Sequence, residues 1–157
     1  MCNKPRSKKL AFCSAVLTLV GLVASCDGVR NVFLVARETT PPTFSTSGND
    51  WLLGMEVNVF PARMTPEQVG QAQGETIWKT SPSKGIWAGD VPVITYGDVP
   101  AGWSQSIPLT GRPPALIEGR VYEARSIINT GPRGSSFFVI RDGKTVNVTG
   151  QLRFTNQ

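Results

Sequence analysis

The chain contains no histidine, and its three cysteines, Cys2, Cys13 and Cys26, all fall within the first 26 of 157 residues. The missing histidine excludes serine–histidine and cysteine–histidine nucleophilic catalysis and removes the commonest metal ligand and general base together. Without a cysteine beyond residue 26, the rest of the chain forms no internal disulfide, so a domain built from it depends on its core. Acidic residues are also missing early, since none precedes Asp27. Four of the 16 basic residues, Lys4, Arg6, Lys8 and Lys9, stand in that acid-free stretch, which leaves 12 basic against 11 acidic side chains from Cys26 onward. The net charge of +5 and the isoelectric point near 9.5 therefore belong to the leader. A nucleic-acid partner loses its main argument, and none is expected.

Met1 to Lys9 forms a short basic start, followed by the uncharged run Leu10–Ser25, LAFCSAVLTLVGLVAS. That run falls short of the roughly 20 apolar residues of a permanent bilayer-spanning helix and fits the apolar region of an export signal. It closes on Leu22-Val23-Ala24-Ser25-Cys26. An aliphatic residue, small residues and then cysteine in this order resemble the cleavage motif of bacterial lipoproteins. The resemblance implies a signal peptide over residues 1–25, cleavage before Cys26 and a diacylglycerol on the Cys26 sulfur. The residue types suit the chemistry, because a thiolate accepts the lipid and small residues fit a peptidase cleft. Cys13 follows the bulky Phe12 and sits too early in the run to serve. Two or three acyl chains hold a protein stably where one gives only reversible binding. Asp27 resembles the sorting residue that retains lipoproteins of enteric bacteria in the inner membrane. A periplasmic, membrane-anchored location follows as the expectation.

Residues 26–31 are a short tether, spanning at most roughly 17 Å over about five residues, and one domain is expected over residues 32–157. The 16 Gly and 12 Pro of the whole chain point to frequent turns and an all-β fold. Strands are expected at Val32–Val35, at Trp51–Val59 with Met55, Val57 and Val59 on one face, and at Glu75–Thr80. Others are expected at Val91–Tyr96 (at an edge or bulge, given Pro92), Trp103–Ile107, Gly119–Asn129, Ser135–Arg141, Lys144–Thr149 and around Leu152–Thr155. Asp142-Gly143 marks a tight hairpin. Residues 39–50 and 80–90 read as loops. Thr65-Pro66-Glu67-Gln68 reads as a helix start of one or two turns, with Val69 and Ala72 sharing a face.

Seven to nine short strands suggest an antiparallel β-sandwich. Within Leu116-Ile117-Glu118-Gly119-Arg120-Val121-Tyr122-Glu123-Ala124, the spacing Leu-x-x-Gly-x-x-Tyr-x-Ala resembles the tyrosine corner of fibronectin type III and immunoglobulin-like domains. The resemblance implies that the Tyr122 ring packs in the core and its hydroxyl bonds back to the preceding turn. Tyr122, Ala124, Ser126 and Ile128 would face inward, Glu123 and Arg125 outward, and Trp78 would be the buried core tryptophan.

Few groups are left for chemistry. Ser81-Pro82-Ser83-Lys84 spells a serine–lysine motif, but Pro82 and Gly85 make it a turn rather than a helix start. Asp90 and Asp98 flank one strand and read as solvated loop acids. No loop crowds the Asp and Asn of a calcium site, and neither a metal nor another cofactor is expected. Gly131-Pro132-Arg133-Gly134 reads as a hairpin tip and Asn147 as a strand residue. Trp87 and Trp103, in loop-like surroundings, are the candidates for stacking on a sugar or a partner, against the alternative of plugging the sandwich ends. The expectation is a non-enzymatic, membrane-anchored binding or structural module with an envelope protein or glycan as partner. The alternatives are a glycan-binding module using Trp87 and Trp103, and an envelope hydrolase working with carboxylates.

Overall fold

The computed structural model describes residues 32–65, 68–69, 72–129 and 134–149. Cys26, Asp27, the tether, Gly131–Arg133 and the strand expected around Leu152–Thr155 lie outside the described residues. Ten strands follow one another: β1 (Val32–Arg37), β2 (Thr43–Gly48), β3 (Trp51–Val59), β4 (Glu75–Pro82), β5 (Ile86–Trp87), β6 (Ile94–Thr95), β7 (Trp103–Ile107), β8 (Val121–Ile128), β9 (Ser135–Arg141) and β10 (Lys144–Asn147). They form two antiparallel sheets packed face to face, the expected all-β sandwich. The small sheet runs β1-β2-β6, the large one β10-β9-β8-β3-β4-β7, with β5 added beside the start of β3.

Alternation along the strands builds the core between the sheets. Met55, Val57 and Val59 project from β3, Trp78 from β4, Tyr122 and Ala124 from β8 and Phe138 from β9; Leu34, Ala36, Phe44 and Ile94 meet them from the small sheet. Register keeps these faces aligned, with Val57 opposite Ala124 and Val59 opposite Tyr122. Trp78 and Phe138 are fully buried. Tyr122 stacks on Phe138 at a centroid distance of 5.4 Å, and Trp78 meets Tyr96 edge-on at 5.4 Å. Its indole N–H donates to Gln105 Oε1 at 2.9 Å, which removes the cost of burying that polar group.

The outer face of the large sheet is covered as well. Val121, Phe137 and Val139 project there and are buried under Phe60, Val69 and Val148, with Met64 and Ala72 at the margin. Val69 and Ala72 thus share a face as expected. The main-chain N–H of Thr65 donates to Gln68 Oε1 at 2.9 Å, the reach-back of a capping box.

One edge of the sandwich is sealed by side chains. β1 lies over β8, β9 and β10. Ala36 N–H donates to Ser136 Oγ at 3.0 Å, and Ala36 C=O accepts from Asn147 Nδ2 at 3.3 Å. Thr145 Oγ1 donates to the Thr39 carbonyl at 2.6 Å, and Thr40 Oγ1 to the Gly143 carbonyl at 2.7 Å. The outward backbone groups of Ala36, and the segment just past β1, are thereby satisfied where no strand adds to that edge.

Two turns require glycine. Asp142 and Gly143 have φ of 51° and 69° and join β9 to β10 with Lys144 opposite Arg141, the tight hairpin expected. Before β8, Arg120 N–H donates to the Ile117 carbonyl at 3.3 Å around Gly119 at φ 74°. Into that turn the Tyr122 hydroxyl accepts from Ile117 N–H at 2.7 Å, the back-bond expected of it.

Three expectations change. Residues 39–50 are not one loop: Thr43–Gly48 forms β2, whose single large apolar residue, Phe44, is fully buried. Its Ser and Thr residues show no alternation, but its backbone pairs along the whole of β1. Within the loop at 80–90, Ile86–Trp87 forms β5, while the strand at 91–96 shrinks to Ile94–Thr95. Glu123 points outward, as expected, yet is buried, with Asn58, Arg125 and Ser135 gathered around its carboxylate.

Tyr122→Phe keeps the stacked ring and leaves Ile117 N–H without its acceptor. Urea unfolding is expected to show a loss of about 1–2 kcal/mol, against about 3–5 kcal/mol for Trp78→Ala, which empties the core centre.

Candidate functional site

A cleft of about 570 Å³ opens at the end of the sandwich where β1 finishes and β8 begins. Its walls are rich in proline: Pro41 and Pro42 follow β1, and Pro113 and Pro114 precede β8. Leu116 and Ile140 line it from below and pack against the main core. Proline fixes φ, so these walls are stiff and offer apolar ring surface. Asp98 and Arg112, both exposed, supply charge at the cleft.

The wall at 112–116 is held from two sides. The Tyr96 hydroxyl donates to the Pro114 carbonyl at 2.8 Å. Gln105, fixed by the Trp78 indole, donates through Nε2 to the carbonyls of Pro108 at 2.8 Å and Gly111 at 2.9 Å. The Glu118 carboxylate is committed to the β9–β10 hairpin, accepting from Asp142 N–H at 2.6 Å and more weakly from Gly143 N–H at 3.4 Å. Such a preformed, largely apolar cleft with few polar groups suits an apolar ligand group flanked by polar ones.

A second, polar cavity of about 450 Å³ lies on the outer face of the large sheet. Here Arg125 NH2 meets Glu123 Oε2 at 2.7 Å, and Arg125 NH1 lies 3.7 Å from Glu56 Oε1. Glu123 also accepts from Arg125 Nε at 3.1 Å, Ser135 Oγ at 2.7 Å and Asn58 Nδ2 at 3.3 Å. Its oxygens are enclosed by donors, and the arrangement ties β3, β8 and β9 together on that face. Asp90 and Asp98 are the solvated acids expected from the sequence. Both are exposed, and the strand between them is interrupted, so no continuous face joins them. The Glu56–Glu123 pairing around Arg125 was readable only through register, which sets Glu56 opposite Arg125 and Asn58 opposite Glu123.

The two tryptophans singled out from the sequence both lie at the other end of the sandwich. Trp87 is 39% exposed, whereas Trp103 is half-buried and packs against Leu52, Ala88 and Ile128. The more exposed neighbour is Trp51, at 52%, which sequence reasoning placed inside a strand. It pairs with Trp87 across β3 and β5, ring edge to ring face, with centroids 5.9 Å apart. In the serine–lysine motif, Ser81 and Pro82 end β4 and Ser83-Lys84 turns toward β5. Asn147 is a strand residue, as expected. Among the described residues no three Cys, Asp or Glu gather as metal ligands.

Compared with models of known families, with curated proteins and with solved structures, the chain matches none. What the cleft can bind follows from its own chemistry.

Burial, with Tyr122 nearby as the lesser cause, pushes the Tyr96 hydroxyl well above the usual tyrosine range. A raised folded value means that the fold favours the protonated phenol. Its stabilising contribution is complete below about pH 10, the ordinary tyrosine value, and is lost as pH climbs from there toward the folded value. Ultraviolet titration should show Tyr96 un-ionised in the native protein well past about pH 10. In Tyr96→Phe, stability measured by urea unfolding should fall less steeply above that pH than in the unsubstituted protein.

Proposed function

We propose that the protein is a lipid-anchored, non-enzymatic binding module of a bacterial envelope, which takes an apolar segment of an envelope protein into the proline-walled cleft. The cleft carries the binding reading: it is preformed, stiff, apolar at its base and open at the end of the sandwich remote from Val32. A protein segment suits it because an apolar side chain can fill the base while the charges of Asp98 and Arg112 meet its polar groups at the rim. The anchor rests on Leu22-Val23-Ala24-Ser25-Cys26, with lipid on Cys26 and Asp27 as the signal for retention in the inner membrane facing the periplasm. A fibronectin type III or immunoglobulin-like sandwich is supported by the Tyr122 back-bond and by the buried Trp78. A glycan site built jointly from Trp87 and Trp103 has less support, since Trp103 spends much of its ring on the core.

Two measurements test the two halves. Radiolabelled palmitate should enter the protein and fail to enter Cys26→Ala; equal or absent labelling of both refutes the anchor. A photo-crosslinking side chain at the exposed, cleft-lining Ala115 should capture an envelope protein from intact cells. The same group at exposed Asn129, just past the opposite end of β8, should not, and Ala115→Trp should compete less for that partner. Identical adducts from both positions, or none, overturn the cleft as the binding surface.

A further inference from the structure

The exposed pair Trp51 and Trp87 is left without a role by the cleft. Leu53, two residues along β3 from Trp51 and 37% exposed, extends the patch. The patch is built rather than frayed. Ala88 N–H donates to the Asp50 carbonyl at 3.0 Å, and Thr46 Oγ1 donates to the Ala88 carbonyl at 2.8 Å. Trp51 N–H donates to Asp50 Oδ1 at 2.8 Å. Gly85 lies so close beneath Leu53 and Trp51 that an added Cβ would sit 3.1 Å from Leu53 Cδ2 and 3.6 Å from Trp51 Cε3. Three large apolar side chains are thus held out toward solvent by a fixed backbone.

Its place in the fold identifies what covers it. Val32, where the chain enters β1, pairs with Gly48, and only Asn49 and Asp50 separate Gly48 from Trp51. The patch therefore lies at the same end of the sandwich as Val32, where β1 begins. Six residues of backbone reach at most about 20 Å, so a lipid on Cys26 keeps this end, and not the cleft end, against the bilayer. Indole is the side chain that favours the headgroup level, amphipathic in a zone that is itself amphipathic. A sugar would ask for an open ring face, but the rings meet edge to face at 82°, and Leu53 has nothing to offer a sugar hydroxyl. The exposed Lys84 and Asp90 flank β5 with one charge of each sign.

We infer that Trp51, Leu53 and Trp87 rest in the headgroup–acyl boundary of the membrane that holds the Cys26 lipid, and so orient the sandwich upright on it. The inference rests on the anchoring reading above. With the flanking charges balanced, the contact is apolar and does not weaken with salt.

The test uses the full lipidated protein, extracted from membranes and reconstituted into phosphatidylethanolamine–phosphatidylglycerol vesicles containing lipids brominated near the headgroup end of their chains. Bromine should quench roughly half of the emission, that of the two exposed indoles among the four tryptophans. Quenching should persist in high salt and all but vanish in Trp51→Phe/Trp87→Phe. A Leu109→Trp probe on that double variant, at an 86% exposed site after β7 and remote from the patch, should not be quenched. Protein that mass spectrometry shows to carry lipid on Cys26, and that floats with the vesicles, but whose indoles are not quenched, overturns the inference and leaves the anchor standing. Protein without that lipid overturns the anchoring reading, and the inference with it. Emission that responds to soluble peptidoglycan fragments and not to bromine assigns the patch to glycan and overturns the inference. Equal quenching of the Leu109→Trp probe overturns the upright orientation.

Discussion

The backbone of Ala36 makes its outward hydrogen bonds to two side chains, Ser136 and Asn147, and not to another strand. With no disulfide available beyond residue 26, nothing covalent holds the small sheet over the large one. The three-stranded sheet is narrow, and its β1 edge would be an open template for pairing with another chain. Ser136 and Asn147 cap that edge at Ala36, Thr145 holds the chain just past it, and Phe44 and Ile94 drive into the shared core beneath it. Packing and this polar seam together do what a cross-link does in many exported domains.

Burial of the large sheet on both faces gives its central strands a double duty. On β8, Tyr122 and Ala124 serve the inner core while Val121 and Glu123 are enclosed on the outer side. A carboxylate so placed is tolerable because donors from Arg125, Ser135 and Asn58 converge on it. Apart from the polar cavity on that outer face, the cleft and the aromatic patch lie at the two ends of the sandwich. At one end proline supplies the walls; at the other, aromatic rings do.

Strand alternation made much of this legible in advance. Met55, Val57 and Val59 alternate cleanly, and Asp142-Gly143 names its own turn. The spacing from Leu116 to Ala124 foretold where the Tyr122 hydroxyl would bond. β2 was illegible because TFSTSG carries one apolar side chain, and its pairing with β1 is a matter of backbone. β5 is two residues long and exists only because β3 offers it an edge. The cleft was equally hidden: Pro41, Tyr96, Pro113 and Ile140 are scattered across a hundred residues and meet only through the topology. Trp51 looked like the first residue of a core strand, since position within a strand does not reveal that the sheet stops there.

The long axis of the sandwich works as a spacer. β8 has eight residues, and at about 3.4 Å each it measures about 27 Å from the aromatic end to the proline cleft. On the anchoring and orientation proposed above, the cleft would stand at that height over the membrane, facing away. A partner lying flat on the membrane would then be out of reach, while one projecting a few nanometres would meet the cleft head-on.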